Sequence, residues 1–403
     1  DGVTTVEGFL EGEDAIATVQ AFRDMGVVID GPEAGRVTVH GVGREGLQAP
    51  VGPLYMGNSG TSMRLLTGIL AGQSFDSELT GDSSLSRRPM RRVSEPLAAL
   101  GAYITTSEDG TPPVRITGGQ RLRGCHTDLQ VASAQVKSAL LLAGLYAEGE
   151  TSVTEPVPTR DHTERMLAGF GYAVERDGAT CRVRGGGRLT ACHIDVPSDI
   201  SSAAFFLVAA SIVPGSDLTL MHVGINPTRV GILEILKMMG AQIELVNPRE
   251  VGGEPVADIR VRHAHLTGIT IPEHLVPLAI DEFPVLFVAA CLANGVTRVT
   301  GAEELRVKES DRIQSMVDGL SVLGAVIEGT PDGAIITGAG PEFRFRGGEV
   351  QAFEDHRIAM ALSVAGLVSG ETVSVHDCAN VATSFPNFVG LAREVGFPLT
   401  VVS

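Results

Sequence analysis

One pattern returns six times along this chain, about 70 residues apart, and a long internal period constrains the architecture before any local motif does. Each copy opens on a glycine-led strand: GVTTV (2–6), GQSFDSEL (72–79), GETSV (149–153), GSDLTL (215–220), GVTRV (295–299) and GETVSV (370–375). A polar loop and a helix-like stretch follow. Each stretch ends on a second glycine signal: MGVVI (25–29), LGAYI (100–104), FGYAV (170–174), MGAQI (239–243), LGAVI (323–327) and VGFPL (395–399). Between copies run apolar segments, at 57–72, 133–149, 199–215, 281–295 and 355–370. They are apolar on nearly all sides, which predicts helices buried inside the fold.

Five such helices stand beside six opening strands. The expectation is a first unit that is incomplete, lacking a preceding piece of about one strand and one helix, as sized by the other copies. Each unit reads strand, helix, strand, strand, helix, so the chain is α/β. The intervening helices are amphipathic; TERMLAGFG (163–171) and RVGILEILKMMG (229–240) carry charge on one side. Six units exceed one compact core, and three plus three is the natural division. The boundary is expected near 209–214, giving domains of 1–211 and 212–403, with plain crossing strands rather than a flexible tether.

Composition narrows the partners. A net charge of −17 argues against nucleic acid and anionic membranes. No apolar run of about 18 uncharged residues is present to span a bilayer. The cysteines Cys125, Cys181, Cys192, Cys291 and Cys378 are scattered and odd in number, which argues against a disulfide framework or zinc site and for a reducing, cytoplasmic compartment. If the substrates are anions, the basic residues must be concentrated in one place.

The starts of the buried helices are where such residues gather. Free backbone N–H groups there favour anions. The candidates are Asn58, Gly60, Thr61 and Arg64; Ser133, Ala134, Gln135 and Lys137; Asp281 and Glu282; and Asp355, His356 and Arg357. Ser133 and Asp281 taken singly could be plain helix caps. Caps do not require Arg64 or Arg357 inside an apolar helix. Three loop clusters add charge: SRRPMRR (86–92), RDHTER (160–165) and RVKESDR (306–312). In the last, Lys308 and Arg312 are i, i+4 on one helix face with Glu309 beside them, a spacing that by itself is commonest in surface ion-pair ladders.

GNSGTSMR (57–64), KESDR (308–312), EDHRIAMA (354–361) and TSFP (383–386), in this order and at equivalent places of the repeat, resemble the EPSP synthase family, the 3-phosphoshikimate 1-carboxyvinyltransferases. The resemblance covers the whole chain. It implies the two-domain enolpyruvyl transferase fold, with three βαβαββ units per domain and buried helices directed at an interdomain cleft. It implies transfer of the enolpyruvyl group of phosphoenolpyruvate to the 5-hydroxyl of shikimate 3-phosphate, with release of phosphate. By the same resemblance Asp281 accepts the hydroxyl proton and Glu309 handles the proton at the methylene carbon. Asn58, Gly60, Thr61, Arg88, Gln135, Arg312 and Arg357 hold phosphoenolpyruvate. Ser133, Ala134, Gln135, Asp281 and Lys308 contact shikimate 3-phosphate, with Arg64 and His356 behind them.

Neither metal nor organic cofactor is expected. The partners implied are small anionic substrates, for a monomer that a separate N-terminal segment completes. The family's P-G-D-K-S-x-S-H-R motif lies outside the sequence. Thr383 stands where many members carry a substrate-binding lysine. SAQVK (133–137), RDHTE (160–164) and Leu65 resemble the divergent second class, associated with tolerance to glyphosate, although Gly60 stands where some tolerant members have alanine. Three alternatives remain at this level: the sister transferase acting on UDP-N-acetylglucosamine, an RNA 3′-phosphate cyclase of the same fold, and a catalytically silent domain.

Overall fold

The computed structural model describes residues 2–402. The chain forms two compact units. One holds the residues up to Val196 together with Val251–Glu254; the other holds Pro197–Glu250 and the residues from Pro255 on.

The first unit begins with β1 (Gly2–Glu7), α1 (Glu13–Asp24), β2 (Ile29–Glu33), β3 (Arg36–Gly41), β4 (Leu54–Tyr55) and α2 (Gly60–Leu70). The next copy is β5 (Ser77–Thr80), α3 (Arg91–Ala99), β6 (Tyr103–Thr105), β7 (Val114–Thr117), β8 (His126–Asp128) and α4 (Ala134–Gly144). The third is β9 (Glu150–Thr154), α5 (His162–Gly169), β10 (Val174–Asp177), β11 (Thr180–Arg184) and β12 (His193–Asp195). Three sheets result, ordered β12-β1-β3-β2, β4-β5-β7-β6 and β8-β9-β11-β10. In each, the opening strand pairs antiparallel with the second strand of the pair and parallel with a short strand, which for β5 and β9 ends the preceding copy. The third copy closes on the first: Thr5 of β1 lies opposite His193 of β12.

The second unit holds α6 (Ile200–Ile212), β13 (Asp217–Gly224), α7 (Gly231–Met238), β14 (Gln242–Val251), β15 (Glu254–Arg262) and α8 (Phe283–Cys291). Then come β16 (Asn294–Val299), α9 (Arg312–Val322), β17 (Val326–Thr330), β18 (Gly333–Ala339), β19 (Gly348–Gln351) and α10 (His356–Gly366). It ends with β20 (Val373–His376), α11 (Val381–Ser384) and α12 (Phe388–Glu394). Its sheets are β13-β15-β14, β16-β18-β17 and the pair β19-β20.

The glycine punctuation works as the repeat requires. Gly26, Gly101, Gly171, Gly240, Gly324 and Gly396 all have positive φ, between 78° and 99°, the left-handed residue that ends a helix. The short strands β4, β8, β12 and β19 are additions to the strand–helix–strand–strand–helix reading. At two to four residues they are too short to show a period of 2, and only pairing with an opening strand defines them: the next one for β4, β8 and β19, and β1 for β12.

The expected boundary falls inside α6, and this is a correction. α6 follows β12 in sequence but packs against α8 and α10. Nearly every residue of α6 is buried, and α8 is buried along its whole length. The core of the second unit is therefore one continuous apolar cluster. The first unit has two smaller ones. There α2 packs on β5 and β7, and α4 on β9 and β11, with the two helices against each other. A Cβ on Gly68 would stand 2.2 Å from the Ala139 carbonyl oxygen, so only glycine allows that approach. Between α1 and the sheet containing β1, β2 and β3 lies an apolar groove of about 390 Å³, lined by Phe9, Val19, Phe22, Ile29, Val37 and Val39 among others. No helix among the described residues is long and apolar enough to cross a membrane.

Candidate functional site

Each unit carries a polar cluster at the starts of its apolar helices. In the first unit α2 begins at Gly60, and Ser59 caps it by accepting from the Ser62 N–H at 3.1 Å. Asn58 precedes the cap. Its Oδ1 accepts from Arg88 Nη2 at 2.8 Å, and its amide donates to Asp82 at 2.8 Å. A Cβ on Gly60 would meet Arg88 Nη1 at 3.2 Å and Arg64 Nη1 at 3.3 Å, so both guanidinium groups lie over the helix start.

Ser133 caps α4, accepting from the Val136 N–H at 3.4 Å. Gln135 then links the two helices: its amide donates to Thr61 Oγ1 at 2.8 Å, and its carbonyl accepts from Arg64 Nη1. Burial and the neighbouring Arg92 and Arg88 lower the Arg64 pKa to about 10. Asn58, Gly60, Thr61, Arg64, Arg88, Ser133, Ala134 and Gln135 thus lie on or beside two adjacent helix starts. Helix N-termini combined with arginine forks are suited to phosphate and carboxylate.

In the second unit the centre is Arg312, the first residue of α9 and only 2% exposed. Its Nε donates to Asp355 Oδ2 at 2.8 Å, its Nη1 to Asp281 Oδ1 at 3.2 Å and its Nη2 to Glu309 Oε2 at 2.6 Å. Burial works against its charge, yet Asp355, Glu309 and Asp281 outweigh it and hold the pKa above the ordinary arginine value. Lys308 Nζ lies 3.6 Å from Asp281 Oδ1. Arg357 Nη1 donates to the Asp281 backbone carbonyl at 3.2 Å. The His356 pKa is lowered to about 4 by burial and by Arg357, so its imidazole is neutral near pH 7.

Three local readings are corrected here. Lys308 and Arg312 do not share a helix face: α9 starts only at Arg312, with Asp311 as its cap, and Lys308 and Glu309 precede it in non-helical chain. The KESDR segment is not a surface ladder, because its arginine is buried. Asp281 is not a helix cap, since Glu282 occupies that position.

Asp355 was a helix-start candidate in the sequence, without a role of its own. It is fully buried, caps α10 by accepting from the Arg357 N–H at 2.9 Å, and clamps Arg312. Its approach is strained: Phe353 and Glu354 both have φ near +55° (54° and 57°), which is costly for residues with a Cβ. RDHTER is not an ordinary exposed helix start either. Asp161 and Glu164 are buried. Lys137 of α4, fully buried, lies 2.9 Å from Glu155 and 2.8 Å from Glu164. A lysine in mid-helix among leucines was the available signal. Thr383 sits in α11, its hydroxyl donating to the Asn380 carbonyl at 2.7 Å.

A sequence profile for EPSP synthase (3-phosphoshikimate 1-carboxyvinyltransferase) matches residues 1–391. A 3-phosphoshikimate 1-carboxyvinyltransferase of Methylococcus capsulatus is 64% identical, with 100% of this chain and 91% of the relative covered. One from Alkalilimnicola ehrlichii is also 64% identical, over 99% of this chain and 89% of the relative. The solved EPSP synthase of Acinetobacter baumannii superposes with a TM-score of 0.93 at 59% identity, covering 100% of this chain and 92% of that one. An enolpyruvyl transferase from Streptomyces tendae, 16% identical, shares the fold with a TM-score of 0.78, over 98% and 89% of the two chains.

Proposed function

The chain belongs to the EPSP synthase family, and from that premise we propose how its two polar clusters divide the work of the reaction. The enzyme transfers the enolpyruvyl group of phosphoenolpyruvate to the 5-hydroxyl of shikimate 3-phosphate, giving 5-enolpyruvylshikimate 3-phosphate and phosphate. The observation that carries the residue assignment is the three-carboxylate environment of Arg312, in which Asp281 and Glu309 bond to one guanidinium.

In this reading Asp281 accepts the proton of the 5-hydroxyl as its oxygen bonds to C2 of phosphoenolpyruvate. Glu309, protonated for this step, gives a proton to the methylene carbon in the same addition. In the elimination the C2–O bond to phosphate breaks, the methyl group returns a proton to Glu309, the double bond re-forms, and Asp281 passes its proton to the departing phosphate. Two carboxylates held by one buried cation keep fixed positions through both steps, as acid–base work requires. Arg88, Arg312 and Arg357, with Asn58, Gly60, Thr61 and Gln135, hold phosphoenolpyruvate. Ser133, Ala134, Gln135, Asp281 and Lys308 hold shikimate 3-phosphate. Guanidinium forks offset the repulsion between two polyanions. Arg64 and the neutral His356 support them from behind.

The sister reaction on UDP-N-acetylglucosamine uses a reactive cysteine. Burial pushes the Cys181 and Cys291 thiols up to about 12, and the Cys378 thiol is also raised, which is unfavourable to thiolate chemistry. The five cysteines are all free, in keeping with a cytoplasmic enzyme. The test is phosphate release from phosphoenolpyruvate with shikimate 3-phosphate, against UDP-N-acetylglucosamine in its place. Release with the first and not the second is expected; equal release would overturn the substrate assignment.

A further inference from the structure

Glu282 occupies the N-cap position of α8 and does not cap the helix. The acidic residues at the equivalent position of its two neighbours do. Asp199 accepts from the Ser202 N–H at 3.3 Å at the start of α6, and Asp355 from the Arg357 N–H at 2.9 Å at the start of α10. Capping therefore does not account for a carboxylate that is 2% exposed. A charge buried this deeply is unfavourable unless its partners compensate it.

Its partners all lie away from its own helix. Glu282 Oε1 accepts from the Ser201 hydroxyl. Ser201 Oγ accepts from Arg229 Nη2 at 2.6 Å, and the same nitrogen donates to Asp199 Oδ1 at 3.0 Å. Glu282 Oε1 also stands 3.9 Å from Arg357 Nη1, which donates in turn to the Asp281 carbonyl at 3.2 Å. Burial raises the Glu282 pKa, while Arg229 and Arg357 pull it back toward the ionised form. The network joins the starts of α6, α8 and α10. Both contacts to Arg357 fall on Nη1, so the guanidinium is held by one corner. A planar fork fixed at one corner presents its remaining donors in a set direction.

We propose that Glu282, braced by Ser201 and Arg229, is a positioning residue that orients the Arg357 guanidinium toward the anionic substrate it binds. The inference rests on the reading of Arg357 as a phosphoenolpyruvate contact. It explains why an internal carboxylate sits next to Asp281 in the chain yet faces the other way, into the start of α6.

The experiment is a double-mutant cycle on the whole chain with Glu282→Gln, Arg357→Lys and the double variant, following KM for each substrate, kcat and thermal unfolding. Glu282→Gln should raise KM for phosphoenolpyruvate about 10-fold and leave KM for shikimate 3-phosphate within about 2-fold. The double variant should be no worse than Arg357→Lys alone, because the two residues act as a unit. Arg229→Gln should repeat the effect at about 3-fold, and Glu282→Asp, which keeps the charge, should recover part of it. Two results overturn different things. If Arg357→Lys raises KM for phosphoenolpyruvate but Glu282→Gln leaves it unchanged, or raises both KM values alike, the positioning role is wrong and the reading of Arg357 stands. If Arg357→Lys itself leaves that KM unchanged, the reading of Arg357 falls and the inference with it. Should Glu282→Gln fail to fold, Arg229→Gln and Glu282→Asp decide: wild-type KM for phosphoenolpyruvate in Arg229→Gln rejects the proposal.

Discussion

Arg64 in the first unit and Arg312 in the second both serve helix starts that carry substrate-binding candidates, and their surroundings are opposite. Arg64 bonds to a neutral amide, Gln135, and to the Pro89 carbonyl, and burial, together with the nearby Arg92 and Arg88, lowers its pKa to about 10. Arg312 is enclosed by Asp281, Glu309 and Asp355, which raise its pKa despite complete burial. Clustered positive charge is unfavourable until an anion arrives, so it serves binding. A cation surrounded by carboxylates is stabilised before any ligand is present, so it serves to fix acid and base groups. The cores differ in the same sense. Three apolar helices make one continuous cluster in the second unit, whereas the first has two clusters and an apolar groove beside α1.

The largest effect should come from removing the enclosed cation. Arg312→Met leaves three carboxylates together without it, and stability measured by denaturant unfolding should fall by about 3 kcal/mol or more. A loss similar to that of a surface arginine would show that Arg312 is not the organising charge of the second unit.

Next come the groups it holds. Glu309→Gln and Asp281→Asn preserve shape and remove proton transfer, so kcat should drop by about 100-fold or more. Titration should show shikimate 3-phosphate binding largely retained. Near-native turnover in either variant removes the acid–base role from that residue.

A third contrast is in pH. Burial opposes the charge of Asp355, but Arg312 outweighs it and holds the folded pKa below the ordinary value. The sign follows: a depressed carboxylate stabilises the fold above its unfolded pKa of about 3.9, and loses that contribution as pH falls through the lower folded value. The stability gap between the wild type and Asp355→Asn should stay level from pH 7 to about pH 4 and close only below it. A gap that closes between pH 7 and 5 would contradict the depressed pKa.

In the first unit the expected sign is reversed. Arg64→Met relieves repulsion from Arg88 and Arg92 while losing two hydrogen bonds, so stability should be unchanged or higher by about 1 kcal/mol. Binding of phosphoenolpyruvate should weaken nonetheless, as seen by calorimetry. A destabilisation matching that of Arg312→Met would erase the distinction between the two clusters.

The smallest effect concerns the groove. An apolar fluorescent dye should bind the chain of residues 1–403, and Val39→Lys, on the groove wall, should weaken that binding several-fold. Dye binding unaffected by the substitution would mean that the groove is not the exposed apolar site.

How much of this was legible beforehand follows from range. The six copies, the helix-ending glycines and the apolar helices are carried by neighbours a few residues apart, and they were readable. Asp281, Glu309, Arg312 and Arg357 were singled out by position at helix starts and by motif, and the structure brings all four into one network. The short strands, the placement of α6 and the Lys308–Arg312 geometry were misjudged or unseen. A two-residue strand has no period, and a helix apolar on every side carries no mark of which core it will enter.

By itself, then, the amino-acid order determined the repeat, the element types and the list of chemistry-bearing side chains, because backbone preferences and hydrophobic periodicity act over one or two turns. Only the tertiary structure decided which charges share a partner. Lys137 with Glu155 and Glu164, Arg312 with Asp355, and Glu282 with Ser201 and Arg357 join residues 18 to 81 positions apart. Their pairing depends on burial and distance, which local sequence does not encode: a buried charge must find compensation wherever the packed chain supplies it.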